Sequence, residues 1–232
     1  MKKLYFLAVL LLGAMASNAQ SSFGPVETGT LTYVGQTIPL RDFPTMEETT
    51  SDELKLIPNR TQNIPKANPA ALPQDGDPLI SRNRAPFRSS RELLQSFPGM
   101  NRNNSGGATP PDPSGAVGPN HYVHAVNVAL RIFDKEGNSL VGPIFLGTFF
   151  GDGNNSGDPI VLYDERADRW FVSQFRIGTN LVYIAISDTP DPTDTYTIYS
   201  FNTSSFPDYP HYSICHDSYV LTANKGGQTV YV

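Results

Sequence analysis

The segment Gly151-Asp152-Gly153-Asn154-Asn155-Ser156-Gly157-Asp158 carries oxygen-bearing side chains at every second position. Asp152, Asn154, Ser156 and Asp158 can therefore be brought onto one hard cation, with the glycines permitting the sharp turn, and Ca2+ is the ion this spacing suits. The twelfth position is Tyr163 rather than a bidentate Glu, which excludes an EF-hand. A Gly/Asn-rich connector accounts for the same residues without metal, and both readings stand. Residues 106–232 hold 11 Asp but only two Glu, Glu136 and Glu165, a bias shared by tight turns and calcium sites.

The other reactive residue types point to structure more than to chemistry. His121 and His124 are three apart on a predicted strand, so they face opposite sides and cannot share a metal. His211 and His216 are likewise separated by an odd interval. Cys215, the only cysteine, follows Tyr212-Ser213-Ile214 and reads as a buried, inert thiol. Its neighbour His216 would point to the other face of a strand and could not activate it. No residue is assigned a catalytic role.

These residues must be positioned by a chain of 232 residues, with 17 Lys plus Arg against 22 Asp plus Glu and a net charge of -5. No basic run exists to neutralise phosphates, which argues against a nucleic-acid partner. The absence of a Gly-x-y period and of heptads, with one long apolar run only, excludes collagen, coiled coil and polytopic membrane protein. That run lies in residues 1–19. Lys2 and Lys3, the apolar stretch Leu4 to Met15, and small residues at Ser17 and Ala19 read as a secretory signal peptide cut before Gln20. No transmembrane anchor is expected after cleavage, and no cysteine near the cut offers a lipid anchor. The expected location is extracellular or at the cell surface.

Residues 20–105 hold nine basic and nine acidic residues and ten prolines, with little periodicity. They read as a mostly irregular leader, too poor in apolar surface to form a core. Leu31-Thr32-Tyr33-Val34 is a candidate strand and Arg91 to Phe97 a candidate helical turn. The local cluster Arg82, Arg84, Arg88 and Arg91 reads as a solvated stretch or as a protease-cut boundary. From Gly106 onward, short aromatic and β-branched runs alternate with turn formers, which predicts consecutive antiparallel strands. The runs are His121 to Val128, Ala129 to Asp134, Ser139 to Phe150, Ile160 to Tyr163, Trp170 to Phe175, Leu181 to Ser187 and Tyr196 to Phe201.

Sliding the chain by 48 residues sets Trp170-Phe171-Val172-Ser173 on Ser218-Tyr219-Val220-Leu221, and Leu181-Val182-Tyr183-Ile184 on Thr229-Val230-Tyr231-Val232. Tyr122-Val123 precedes Phe171-Val172 by 49, and Arg131-Ile132-Phe133 precedes Val182-Tyr183-Ile184 by 51. A unit of about 50 residues with four strands is the size of a propeller blade. The expectation is an all-β chain: residues 106–232 as a partial β-propeller of about 2.5–3 four-stranded antiparallel blades, behind the signal peptide and leader. Since Val232 falls inside a strand, the reading is an N-terminal fragment of a longer protein; its rival is a three-sheet β domain complete as given.

Pro110-Pro111-Asp112-Pro113-Ser114-Gly115-Ala116-Val117-Gly118-Pro119-Asn120-His121-Tyr122-Val123 resembles the opening motif of a group of secreted bacterial β-propeller proteins. Asp158-Pro159, Tyr163-Asp164, Asp168-Arg169-Trp170-Phe171, Ser187-Asp188-Thr189, Asp191-Pro192 and Asp208-Tyr209-Pro210 follow in that group's order, over roughly residues 97–232. The group is similar to sialidase-like (BNR/Asp-box) propellers. Thr189-Pro190-Asp191-Pro192-Thr193-Asp194-Thr195-Tyr196 resembles a worn Asp-box, S-x-D-x-G-x-T-W, in which Asp191 and Thr195 serve the turn and Tyr196 packs between sheets. The resemblance implies a secreted or cell-surface binding and adhesion module for a glycan, another extracellular polymer or a protein ligand. Tyr122, Tyr163, Trp170 and Tyr209 are the aromatics available for sugar stacking, with Trp170 read as core. The alternative is a sialidase-like glycoside hydrolase. Phe175-Arg176-Ile177-Gly178 echoes the F-R-I-P element of those enzymes but departs at its last residue, and both glutamates fall in predicted turns.

Overall fold

Alternation of apolar and polar side chains from Ser114 onward creates strands that each offer one face to a neighbouring sheet. The computed structural model describes residues 29–49, 55–56, 95–224 and 228–231, with 55–56 and 228–231 described by backbone alone. Packing separates Leu31–Val232 from Met1–Thr30; of the latter unit only Gly29 and Thr30 are described, and both are irregular. The signal-peptide stretch and Arg82, Arg84, Arg88 and Arg91 lie outside the described residues, as do residues 91–94 of the expected helical turn, whose remainder is irregular. No helix among the described residues is long and apolar enough to cross a membrane.

The strands are β1 (Thr32–Gln36), the two-residue β2 (Lys55–Leu56) and β3 (Ala108–Thr109), followed by three antiparallel sheets. The first sheet runs in order β4 (Ser114–Val117), β5 (His121–Val126), β6 (Ala129–Asp134) and β7 (Ser139–Phe145). The second runs β8 (Gly157–Asp164), β9 (Arg169–Phe175), β10 (Leu181–Ser187) and β11 (Tyr196–Asn202), with β1 added beside β11. The third contains β12 (Asp208–Ile214), β13 (Tyr219–Asn224) and β14 (Gln228–Tyr231). The chain is thus all-β, built from successive antiparallel meanders. The sequence self-match aligns like with like: β5, β9 and β13 are second strands, and β6, β10 and β14 are third strands. The first strands meet one another, β8 lying against both β4 and β12.

The core has two parts, one on each side of the second sheet. Trp170, Val172, Tyr183, Ala185 and Tyr196 pack with Val123, Ala125, Leu130 and Ile132 of the first sheet. Phe175 and Val182 pack with Phe206, Leu221 and Ala223 on the other side, where Phe171 meets Tyr212 at 4.8 Å and Tyr219 at 5.3 Å between ring centroids. Because β9 is covered on both faces, every residue from Trp170 to Phe175 is buried, Ser173 and Gln174 included.

Two expectations are corrected. The run Ser139 to Phe150 is not one strand: it ends at Phe145 and continues as a single helical turn, α1 (Leu146–Phe149). A strand sends neighbouring side chains to opposite faces; the helical turn lets Phe149 and Phe150 both enter the core, one against Tyr196 and the other against Tyr183. The leader, expected to form no core, contributes to one. Strand β1 pairs with β11, and Leu40 is completely buried among the residues joining the first two sheets. Its amide donates to Asp194 O, and Met46 N donates to Pro143 O within β7. The leader therefore straps two sheets together.

Candidate functional site

Strand β5 supplies both the fold and the site. Val123 and Ala125 enter the core, while Tyr122 and His124, on the alternate face, are half-buried and turn away from the second sheet. Phe133 lies opposite Tyr122 in the β5–β6 ladder and Arg131 opposite His124. The Tyr122 ring stacks on both Phe133, at 6.1 Å and 25°, and His124, at 5.5 Å and 28°.

The segment Gln95–Met100 lies across this aromatic row. Phe97 meets Tyr122 edge-on at 6.1 Å and Phe133 at 5.5 Å. Gln95 Nε2 donates to Glu136 O at 3.3 Å, and Met100 N donates to His124 Nδ1 at 3.2 Å. Gly137 makes the approach feasible: its φ is +89°, and a Cβ there would lie 2.5 Å from the Phe97 ring. The preceding turn is braced by Asp134, whose carboxylate accepts from Glu136 N, Asn138 N and Asn138 Nδ2. Those bonds, led by the Asn138 side chain, hold its pKa below the usual carboxylate value.

Strap and sheet leave a cleft of about 530 Å³ between them, lined by Phe97, Tyr122, His124 and Val117, with Gln95, Asp134 and Lys135 among its polar members. Val117 is 60% exposed. Burial pulls His124 below the ordinary imidazole value, so its ring is neutral near pH 7. With Nδ1 accepting from Met100, the ring proton resides on Nε2, a hydrogen-bond donor. The cleft thus offers flat aromatic surface, a neutral donor and a lysine ammonium.

A second cluster forms where the sheets begin. Asp112 precedes β4, Asp158 is the second residue of β8 and Asp208 opens β12. Asn127 ties the first two together: its Nδ2 donates to Asp112 Oδ2 at 2.6 Å and its Oδ1 accepts from Asp158 N at 2.7 Å. Desolvation first, then the charges of Asp112 and Asp208, push the Asp158 carboxyl up to about 6. Among the described residues, no three His, Cys, Asp or Glu are placed to hold a metal ion.

The four expected calcium ligands have separate engagements. Asp152 and Asn154 are brought together, with Asn154 N donating to Asp152 Oδ1 at 2.9 Å, and Asp152 also faces Arg176 at 3.8 Å. Ser156 Oγ accepts from Ile177 N at 3.1 Å, and Asp158 belongs to the acidic cluster just described. Asp191 Oδ1 accepts from Thr193 N at 2.9 Å and Thr193 Oγ1 at 2.8 Å, in the turn between β10 and β11. Thr195 O accepts from Asp188 N in the same turn, and the fully buried Tyr196 donates its hydroxyl to Pro192 O at 3.1 Å.

Of the aromatics singled out from sequence, Tyr122 lines the cleft. Trp170 is buried, with Nε1 donating to Pro190 O at 3.0 Å. Tyr163 packs on Trp170 and donates to Asp168, and Tyr209 is exposed beside His211. The two histidines of β5 do face apart: His121 approaches Asp191 at 4.0 Å, whereas His124 faces the cleft. Cys215 requires correction. It is exposed, because β12 ends at Ile214 and Cys215 begins the hairpin turn, its amide donating to Ser218 O; the alternation argument made for it and His216 does not apply in a turn.

Sequence reasoning missed Phe97, Gln95 and Lys135, since nothing local marks a Pro-flanked coil residue as the cover of a distant sheet. It also missed the acidic cluster, although Asp112-Pro113, Asp158-Pro159 and Asp208-Tyr209-Pro210 recur in register at the first strand of each unit. Comparison with protein-family models, curated proteins and solved structures finds no match for this chain.

Proposed function

We propose that the three sheets are blades of a β-propeller and that the protein is a secreted or cell-surface binding module, its cleft on the first sheet taking a segment of a glycan chain. The radial reading is supported by the meeting of β4, β8 and β12, since first strands converge when blades surround an axis. The single observation that carries the binding reading is the cleft's composition: Tyr122 and Phe97 give flat apolar surface for sugar C–H faces, and the His124 Nε2–H, Gln95 and Lys135 provide directed polar contacts. The hydrolase alternative gains no residue: Arg176 is paired with Asp152, and Glu136 and Glu165 lie in turns.

The test is retention of the full chain on a panel of immobilised polysaccharides. Wild type is expected to be retained by at least one acidic or neutral glycan. Tyr122→Leu, which keeps apolar volume but removes the flat ring, should bind at least about fivefold more weakly, an aromatic stacking contact being worth about 1 kcal/mol. No retention on any polymer would remove this function, and hydrolysis of fluorogenic glycosides by wild type would replace it with the enzyme.

A further inference from the structure

The hydrogen bond between Met100 and His124 joins the strap's last residue to the sheet through a titratable side chain, and its polarity is one-way. The backbone N–H of Met100 can only donate, so His124 Nδ1 must be unprotonated to receive it at 3.2 Å. Gly99 presses the strap onto the imidazole: a Cβ on it would lie 2.9 Å from both Nδ1 and Cε1. That leaves no room for a protonated Nδ1 to find another acceptor between ring and backbone.

We propose that this contact is an acid-released latch on the cleft: protonation of His124 at Nδ1 sets N–H against N–H, detaches Gln95–Met100 from the open face of the first sheet, and widens access to Tyr122. The latch rests on the cleft being the binding site only for its functional meaning; the release itself follows from the geometry.

The groups around the imidazole agree with this direction. Arg131 is its cross-strand neighbour on β6, held by Ser139 Oγ at 2.9 Å and lying 5.4 Å over the Phe133 ring. Tyr122 stacks on the ring from β5. From the β6–β7 turn come Lys135 and Asp134, the latter's carboxylate engaged by its own turn. Residues 95–100 bring no charge and β4 brings none to this face. A neutral ring is therefore the resting state, as burial also requires, and release occurs below the ordinary histidine range.

The test is hydrogen exchange of the full chain at pH 7.5 and pH 5, corrected for intrinsic rates. In wild type, peptides covering 96–101 should lose at least about tenfold protection at the lower pH, while β9 and β10 stay protected. In His124→Asn, whose Oδ1 can accept but does not titrate, protection of 96–101 should be the same at both pH values. Equal protection in wild type at the two pH values would overturn the latch, as would the same pH-dependent loss in His124→Asn. A released strap in a protein that no glycan retains would uphold the latch and remove the glycan reading; the two failures are thereby separable.

Discussion

On the side of the first sheet that meets the second, Val123, Ala125, Leu130 and Ile132 are sealed from water. On its other side, Tyr122 and His124 are only half-buried, under a six-residue strap that leaves a cleft beside them. The same strands serve both sides through the two-residue period of the pleat. The inner side is small and branched, and it interlocks with Trp170, Tyr183 and the aromatic pair Phe149 and Phe150. The outer side is flat and aromatic, and its cover is held by few contacts. Close packing gives the inner face stability and no access; loose cover gives the outer face access at little stability. A binding site fits the second kind of surface.

Three measurements would break or sharpen this contrast. The largest effect belongs to the inner face: Ile132→Ala should lower unfolding stability by about 2–5 kcal/mol, since a fully enclosed site cannot collapse around the lost methyl groups. Denaturant unfolding reads this directly, and a loss under about 1 kcal/mol would dissolve the distinction between the faces. On the outer face, Phe97→Ala should cost only about 1–2 kcal/mol globally, because the ring is partly exposed and half its surroundings are open cleft. Its signature would be local, with faster exchange in residues 95–101 and unchanged exchange in β9.

The smallest effect concerns Asp158. Its folded value, about 6, lies above the ordinary 3.8, so the folded state holds this proton more tightly than the unfolded chain. The stabilisation is full below about 3.8 and is lost as pH rises through about 6. Solvent screening of this half-exposed group reduces the effect to about 1 kcal/mol. Asp158→Asn should therefore melt higher than wild type at pH 7–8, and the gap should close by pH 4. Asn tolerates the positive φ of 45° at this position, so the backbone is not perturbed. A variant that melts lower than wild type at pH 8 would show that the charge is stabilised in the acidic cluster rather than strained.

Several features were legible because their causes are local. The strands of residues 114–224 follow from alternation and turn formers, and the register of the three units from aromatic pairs such as Phe171-Val172 and Tyr219-Val220. The turn around Asp191 was readable because an Asp accepting from the amide two residues on is a short-range device. The face of each β5 histidine followed from the odd interval between them. Local reasoning failed where a side chain had a choice of distant partners. The spacing of Asp152, Asn154, Ser156 and Asp158 left two readings open, and the present partners of three of them, Arg176, Ile177 and the acidic cluster, are ones that no local pattern announces. Cys215 looked like a strand residue because the strand ends one position earlier than its apolar neighbours suggest.

The sequence by itself determined the all-β character, the meander order and which side chains share a face, since each depends on bond geometry within a few residues. Only the tertiary structure decided which face would be sealed and which left open, that Leu40 would cross from the leader into the core, and that Phe97 would settle on Tyr122. Those outcomes depend on contacts between residues tens of positions apart, whose free energy exists only once the sheets have met.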